Sequence, residues 1–376
     1  MAAAPEPQPG EPGAPVPAAL IVEHLAGQAS DQPPEPTAAA AVAPSVEAAA
    51  RSAPVSELDR RRRLVDYATL ALLTLIWGTT WAAIRIGLRG IPPFTGVALR
   101  FALAAAALLA VARGLGVRLR GATPAAGATA AAARPWRVWL VNAAFTFVIP
   151  YGVLYWAEQW VPSGLAAVLF ATSPLWVALA AHLMLPGERL RAPTAAGVLV
   201  GFAGVALIFS DDLRALGGPR VAAAAAVLLI SPLTSAFGVV AVKRWGAGLH
   251  PLSVAAVPMA LTAAVMGLVA WATESSRPLR FDAASVAALL YLALCGSALT
   301  FTLYFWLLRR RPATTLSLIN YLTPIVALLI GGAALGESFS ARTLAGSALV
   351  VGGVAVAMRA GGGAGSRSGR GLGRSA

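Results

Sequence analysis

The chain has 376 residues, of which 58% are hydrophobic and 12% are charged, and its mean hydropathy is +0.72. One soluble core cannot hide that much apolar surface, so the composition excludes a single soluble domain and indicates that lipid is the solvent. The formal net charge of +13 does not indicate nucleic-acid binding, because the basic residues lie between apolar runs and not on one face among aromatic residues. The lone cysteine, Cys295, cannot form an intramolecular disulfide, and the three histidines are too far apart in sequence to predict a metal site.

The N-terminal segment, residues 1–58, is rich in Pro, Ala and Glu and has neither a helical nor a strand period. Such a segment cannot bury enough surface to offset its ordering entropy, so we predict a disordered tail. A signal peptide needs an early positive charge before an apolar core, whereas the first arginine here is Arg51. A start of translation further downstream is the alternative. The last residues, 359–376, form a second tail, which is basic.

Ten apolar runs follow one another between the two tails, and each is near the length that crosses the hydrocarbon of a bilayer. The predicted spans are 66–88, 95–113, 138–157, 163–185, 193–210, 221–242, 251–273, 284–307, 314–335 and 343–358. Of the 29 basic residues, 21 fall on one side of this threading and six on the other, with Arg85 and Arg100 inside spans. The positive-inside rule therefore predicts that both termini are cytoplasmic.

An internal repeat relates the two halves of the membrane region, 66–210 and 221–358. Each half holds five predicted spans, an odd number, so the second half enters the membrane from the opposite side to the first. The fold class predicted is an all-α polytopic membrane protein with ten transmembrane helices in two five-helix inverted-topology repeats, an architecture typical of secondary transporters. Five positions recur in order about 150 residues later, and the pairs are Pro162 and Pro312, Pro174 and Pro324, Glu188 and Glu337, Gly197 and Gly346, and Gly204 and Gly353.

Four of the predicted spans carry recognisable stretches of sequence. They are LIWGTTWAAIRIGL in the first span, IPPFTGVALRFALAA in the second, ATSPLWVAL followed by GERL in the fourth, and INYLTPIVALL followed by GES in the ninth. In this order they resemble the EamA family of the drug/metabolite transporter superfamily, over residues 66–358. The resemblance implies a multi-pass carrier of the plasma (inner) membrane, with a substrate cavity near the midplane between the two halves. It also implies export of amino acids and other small polar or amphipathic compounds.

Polar and aromatic side chains inside the predicted spans are the candidates for substrate binding. Aromatic rings offer apolar faces with polar edges, an arginine can clamp a carboxylate with paired hydrogen bonds, and polar groups beside prolines can meet a polar solute. The alternatives are structural, because aromatic residues form interfacial belts, arginines snorkel or hold the carbonyl end of a helix, and hydroxyls satisfy backbone groups that proline frees. Arg100 is a further candidate on the same grounds. The candidate residues are Trp77, Trp81, Arg85, Tyr151, Tyr155, Thr172, Asn320, Tyr321 and Thr323.

Prolines and glutamates at equivalent positions of the two halves are the candidates for hinges and gates. Pro174 and Pro324 each remove a backbone hydrogen bond inside a span, so we expect kinks there. Glu188 and Glu337 mark the ends of the repeated spans and can pair with an arginine on a neighbouring helix. A local ion pair between Glu188 and Arg191 is the alternative.

These features predict a secondary transmembrane transporter that exports small metabolites, amino acids or related amphipathic compounds, by alternating access. The partners expected are a small-molecule substrate and the lipid bilayer, with a homodimer left open. No nucleic acid, cofactor, metal or catalytic residue is expected. The alternatives are a non-transporting adaptor and a polytopic membrane enzyme on lipid-linked substrates, which needs a cluster of His, Asp, Glu or Cys that the sequence does not show. Glu158 and His182 are the candidates for proton coupling, and facilitated diffusion and exchange stay open.

Overall fold

The computed structural model describes residues 57–120, 134–161, 163–208, 218–326 and 341–362. Of these described residues, the ones from Arg62 onward form one compact unit. The tail predicted for residues 1–58 lies outside the described residues up to position 56. Glu337 and the basic tail beyond position 362 lie outside them as well.

Helices make up the described part of the chain, in which no strand occurs. Prolines open four of the helices, because the first N–H of a helix needs no partner and the proline ring already has a helical φ. The helix α4 is interrupted by a turn at residues 171–172, and the prolines Pro174 and Pro324 are both buried. The helices are α1 (Glu57–Gly87), α2 (Pro93–Gly114), α3 (Pro135–Ala157), α4 (Leu165–Met184), α5 (Ala192–Ile208), α6 (Pro219–Trp245), α7 (Pro251–Glu274), α8 (Ala283–Leu308), α9 (Ala313–Val326) and α10 (Ala341–Gly362).

Seven of these helices, α1 to α4 and α6 to α8, are long and apolar enough to cross a membrane. The apolar parts of the other three are shorter: Ala192–Leu207 in α5, Ala313–Val326 in α9 and Leu344–Arg359 in α10. Large apolar side chains such as Leu183 (72% exposed) and Trp271 (76% exposed) face outward, which suits contact with lipid. The all-α polytopic fold class is therefore confirmed for the described residues, while ten membrane spans stay a prediction.

Contacts between helix ends show which ends lie together. At one end, Glu188 after α4 forms an ion pair with Lys243 near the end of α6 (2.8 Å). Asp66 near the start of α1 lies at the same end, where it pairs with Arg311 after α8. We call this end the basic end. At the opposite end, the backbone N of Arg280 donates to the carbonyl of Gly90 (2.8 Å) between the α7–α8 and α1–α2 connections.

A buried carboxylate at the opposite end caps α2. Glu274, the last residue of α7, is 5% exposed and accepts hydrogen bonds from the backbone N of Phe94 (3.0 Å) and Thr95 (2.8 Å). The first N–H groups of a helix have no partner within the helix, and they carry the positive end of its dipole. The carboxylate satisfies both needs and ties α7 to α2, two helices that pack along their length.

The helices α3 and α8 each contain a π-helical segment of six residues, Ala143–Val148 and Leu294–Leu299. The two segments begin 151 residues apart, close to the interval that relates the two copies of the sequence. They were not among the elements predicted from the sequence. Such segments occur frequently at functional sites. The first segment contributes Thr146 to the wall of the cavity described below, and the second holds Arg100 of that wall through Ser297 and Gly296.

Glycines bring α5 and α10 into close contact. A Cβ placed on Gly197 would lie 2.7 Å from the carbonyl oxygen of Gly353, and one on Gly204 would lie 2.7 Å from that of Gly346. Only small residues allow backbones to approach so closely. With parts of α4 and α9, these two helices enclose a buried cluster separate from the main core.

Candidate functional site

A cavity lies among α1 to α4, α6, α8 and α9, and it encloses about 880 Å³ of atom-free space, its opening included. Both halves of the chain build its wall. The first half contributes Trp77, Arg100 and Tyr151, and the second contributes Phe301 and Asn320, together with several hydroxyl side chains. A mostly apolar wall with a few polar groups is typical of a small-molecule site.

Aromatic rings join the two halves across the cavity. The ring centroid of Trp77 on α1 lies 5.5 Å from that of Phe301 and 5.4 Å from that of Tyr304, both on α8. Trp81, one turn further along α1, meets the edge of Phe170 on α4 at 5.8 Å. These rings offer flat apolar faces against which an apolar body can pack.

Arg100 of α2 brings a buried cation to the cavity wall, with 1% of its surface exposed. Its Nε donates to Ser297 Oγ (2.8 Å), Nη1 to Tyr155 Oη (3.1 Å) and Nη2 to the carbonyl of Gly296 (3.2 Å). The guanidinium also lies 4.9 Å from the ring centroid of Tyr151, a cation–π contact. Two of these partners belong to the π-helical segment of α8, so this segment holds the cation in place.

No carboxylate forms an ion pair with Arg100 among the described residues, and none of the described residues that line the cavity carries another charge. The repeat does not duplicate this cation. Arg100 lies seven residues after Pro93, which opens α2, whereas the position seven residues after Pro251, which opens α7, is Pro258. The cavity is therefore electrostatically asymmetric although its two halves resemble each other.

Hydroxyl and amide groups complete the wall. Thr80, Ser231 and Ser317 donate to backbone carbonyls at 2.7, 3.0 and 2.8 Å, which leaves their oxygen lone pairs as acceptors. Thr146 Oγ1 is buried without a hydrogen-bond partner in the described structure. The Asn320 side-chain amide lies in the wall as well. A ligand with polar groups can therefore find partners here.

The structure brings five of the nine predicted substrate-binding residues into this wall and leaves four outside it. Those in the wall are Trp77, Trp81, Tyr151, Asn320 and Thr323.

Each of the four predicted residues outside the wall has a structural partner. Arg85 donates to the carbonyl of Glu158 (2.6 Å), so it holds the carbonyl end of α3. The Thr172 hydroxyl donates to a backbone carbonyl one turn earlier (2.8 Å), and the Tyr321 hydroxyl donates to a carbonyl of α5 (2.8 Å). Tyr155 is buried behind the wall against Arg100.

Both halves of the chain match one family model, that of the EamA-like transporter family, over residues 67–210 and 222–359. The chain belongs to the EamA-like transporter family. The family resemblance found in four of the spans is thereby confirmed, and with it the assignment as a membrane transporter. In this EamA-like chain the cavity is thus formed by both family repeats.

Relatives of this EamA-like chain cover most of its length. The uncharacterized inner membrane transporter YedA of Escherichia coli strain K12 is 30% identical over 287 residues, which are 74% of this chain and 86% of YedA. Protein PagO of Salmonella typhimurium is 26% identical over 274 residues, 73% of this chain and 86% of PagO. One protein of known crystal structure is 23% identical in sequence, and the match covers 79% of this chain and 97% of that protein. The two superpose with a TM-score of 0.66, which shows the same fold.

Charged side chains tie together four helices at the basic end of the EamA-like chain. Besides its ion pair with Lys243, Glu188 accepts a hydrogen bond from the backbone N of Ala313, the first residue of α9 (2.8 Å). Lys243 also donates to the carbonyl of Arg311. The partner of Glu188 is thus a lysine of α6 and not the nearby Arg191.

The same end holds a second carboxylate that the sequence analysis did not single out. Asp66 in α1 is 3% exposed and forms ion pairs with Arg311 (2.7 Å) and Arg310 (3.2 Å) after α8. We call Asp66, Glu188, Lys243, Arg310 and Arg311 the basic-end cluster.

Glu158 is the remaining buried carboxylate, in the turn that follows α3 at the opposite end. It has no exposed surface, and neither carboxylate oxygen has a hydrogen-bond partner in the described structure. Burial raises the pKa of Glu158 to about 8, against the lowering effect of the Arg85 and Arg100 guanidinium groups. His182, the other titratable candidate, is exposed, and its Nδ1 accepts a hydrogen bond from the backbone N of Leu190 (3.2 Å).

Proposed function

We propose that this EamA-like protein is a secondary transporter that exports small metabolites, amino acids or related amphipathic compounds, by alternating access between two inverted halves. The observation that carries the proposal is the cavity, whose wall takes residues from both repeats. A solute bound there contacts both halves, so a rocking motion of one half against the other exposes it to each side of the membrane in turn.

Inversion of the two halves is supported by the contact between α5 and α10. In sequence, Gly197 corresponds to Gly346 and Gly204 to Gly353, whereas in space Gly197 meets Gly353 and Gly204 meets Gly346. Such an exchange of equivalent positions is expected where a two-fold axis passes between two elements. With α5, α9 and α10 as short spans, each half has five crossings and the axis lies in the membrane plane.

The chemistry of the cavity fits an amphipathic solute. The faces of Trp77 and Phe301 suit an apolar body, while Arg100 and Asn320 suit a polar head.

The basic-end cluster serves as the gate of its end in this proposal. For that end to open, α4 must separate from α6, which breaks the ion pair between Glu188 and Lys243. Pro174 and Pro324, which lie in α4 and α9 near the cavity, act as the hinges of this motion. The positive-inside rule assigns the basic end to the cytoplasm, so both termini are cytoplasmic in the plasma membrane.

The experiment that tests this function is efflux from proteoliposomes that contain the purified chain and a mixed panel of labelled amino acids and small amphipathic acids and amines. We expect saturable, protein-dependent loss of at least one compound. Trp77→Ala should reduce this flux at least about tenfold, because it removes an aromatic face on which the solute packs. Trp271→Ala is the matched control, since the Trp271 side chain is 76% exposed on the outside of α7, away from the cavity. No flux of any compound through correctly inserted protein contradicts the proposal.

A further inference from the structure

Two charged groups near the cavity suggest how it selects and couples its cargo. We propose that Arg100 and Glu158 form a proton-linked anion site, at which Glu158 takes up a proton when the carboxylate of an amphipathic organic acid binds to Arg100. The inference rests on the proposed transport function and specifies its substrate class and its coupling ion.

Arg100 is equipped to bind an anion. A guanidinium has five N–H groups, and the three hydrogen bonds to Ser297, Tyr155 and Gly296 leave two for a ligand. A carboxylate is the group that paired guanidinium N–H donors fit best. The described wall offers no carboxylate to a cationic group, so we expect an organic acid to bind more tightly than an amine. An amino acid carries both charges and should bind with intermediate affinity.

Glu158 lies one helical turn from the residue that contacts Arg100. Tyr155 and Glu158 are three residues apart, so they share a face at the end of α3. Tyr155 accepts the hydrogen bond from Arg100 Nη1, and Glu158 acts electrostatically on both Arg100 and Tyr155. The carboxyl of Glu158 is therefore placed behind the cavity wall, between the anion site and the opposite end.

The surroundings of Glu158 favour its neutral form. A buried ionised carboxylate without hydrogen bonds is so costly that the group takes up a proton instead. The charged groups that act on it are Arg85 of α1 and Arg100 of α2. Of the other charges at this end, Glu274 caps α2 and Arg277 donates to the side chain of Gln159 (3.3 Å).

These charges determine whether protonation of Glu158 strengthens or weakens anion binding at Arg100. When Glu158 is ionised, it partly neutralises the field of Arg100 and repels a bound anion. When Glu158 is protonated, the field of Arg100 acts on the bound anion without this opposing charge. Protonation therefore raises anion affinity, and by reciprocity a bound anion raises the pKa of Glu158. One proton and one monoanion then move together, and the loaded carrier has the same net charge as the empty one.

Binding of three probes that share a phenylpropyl body tests the proposal. They are 3-phenylpropanoate, its neutral amide and 3-phenylpropylamine, and binding is followed by tryptophan fluorescence of the full chain in lipid nanodiscs. At about pH 9 roughly one-tenth of a carboxyl with a pKa of about 8 is protonated, so the phenylpropanoate affinity should be about tenfold weaker than at about pH 6. The amide should bind equally at both pH values, and the amine more weakly than the acid.

Variants assign the effect to the two side chains. Glu158→Gln should bind phenylpropanoate at every pH as wild type does at about pH 6, because the amide mimics the protonated carboxyl. Arg100→Lys keeps the charge but loses the paired donors, and it should weaken the acid more than the amide. Should Glu158→Gln fail to fold, calorimetry of the wild type in two buffers of different ionisation enthalpy measures the proton taken up on binding. Because about half of the carboxyls already hold a proton at pH 8, the uptake should be at most about one half there and should approach one near pH 9.

Three results overturn the inference: pH dependence that persists in Glu158→Gln, no proton uptake on binding, or no binding of phenylpropanoate at about pH 6. The proposed function is judged by a different result. Saturable flux in proteoliposomes that is independent of pH and of Glu158 leaves the transporter standing and removes the proton-linked site. Absence of flux for every compound of the panel contradicts transport itself.

Discussion

Gly197 in α5 lies against Gly353 in α10, with only 2.7 Å between a Cβ placed on the first and the carbonyl oxygen of the second. The two glycines come from different halves of the chain and occupy different positions of the repeat. A second contact joins Gly204 to Gly346. It pairs the same two repeat positions, but each position now comes from the other half. The crossed pairing is the structural observation that most directly supports a two-fold relation between the halves.

Substitution at this contact should destabilise the bundle. A Cβ on Gly353 would come within 2.6 Å of the Gly197 carbonyl oxygen, a backbone atom that cannot rotate away. We expect Gly353→Ala to lower the free energy of unfolding by about 1–3 kcal/mol, the usual cost of overpacking. Gly352→Ala is the matched control, because no atom lies within 4 Å of its Cβ position. Thermal unfolding in detergent measures both, and equal stabilities would show that the contact is not tight.

The cap on α2 gives a second prediction. Glu274→Ala leaves two N–H groups at the buried start of α2 without their acceptors, which should cost roughly 1–3 kcal/mol of stability. Glu274→Gln keeps one acceptor oxygen and should cost less. The same unfolding assay compares the two variants with wild type. If both variants unfold like wild type, the carboxylate does not stabilise the start of α2.

The ion pair between Glu188 and Lys243 gives a third prediction. Loss of the pair in Lys243→Ala should favour the conformation that is open at the basic end. The reporter is Asn320→Cys in the cavity, on a Cys295→Ser background, labelled by a membrane-impermeant maleimide from that end. We expect labelling to be several-fold faster in Lys243→Ala, since an equilibrium shifts about tenfold for each 1.4 kcal/mol.

Two variants control the gate experiment. Arg191 is close to Glu188 in sequence but forms no ion pair with Glu188 in the described structure. Labelling should therefore not change in Arg191→Ala. The charge reversal Glu188→Lys with Lys243→Glu should restore slow labelling. Equal labelling rates in wild type and Lys243→Ala would mean that the pair does not gate the cavity.

The sequence predicted the architecture better than the site. Apolar runs and the 150-residue recurrence indicate spans and repeats directly, because they depend on composition and order alone. Which face of a helix points inward depends on its neighbours. Adjacent residues such as Asn320 and Tyr321 differ by about 100° around the axis, so one faces the cavity while the other packs on α5.

A periodic signal was nevertheless present. On α9, Leu316, Asn320 and Thr323 recur at helical spacing, and all three line the cavity. Applied to the other spans, the same spacing would have pointed to several missed hydroxyl residues of the wall, which are Thr80, Thr146, Ser231 and Ser235.

The two arginines show where sequence reasoning stops. Arg85 and Arg100 both lie in apolar runs and have the same chemistry, yet Arg85 holds the carbonyl end of α3 while Arg100 lines the cavity. The difference comes from the partners of Arg100 on α8, nearly 200 residues away in sequence. The π-helical segment that supplies these partners left no mark in the sequence pattern that would have predicted it.

The central claim is that solute crosses the membrane through the cavity between the two repeats, and blocking that cavity tests it most directly. Asn320→Cys on the Cys295→Ser background is reconstituted, and flux of a compound that this unlabelled variant still transports is measured before and after reaction with a bulky maleimide. Leu183→Cys, on a side chain that is 72% exposed on α4, is the matched control. The account predicts that the label on residue 320 abolishes flux while the label on residue 183 leaves it unchanged. Undiminished flux with residue 320 fully labelled would contradict it.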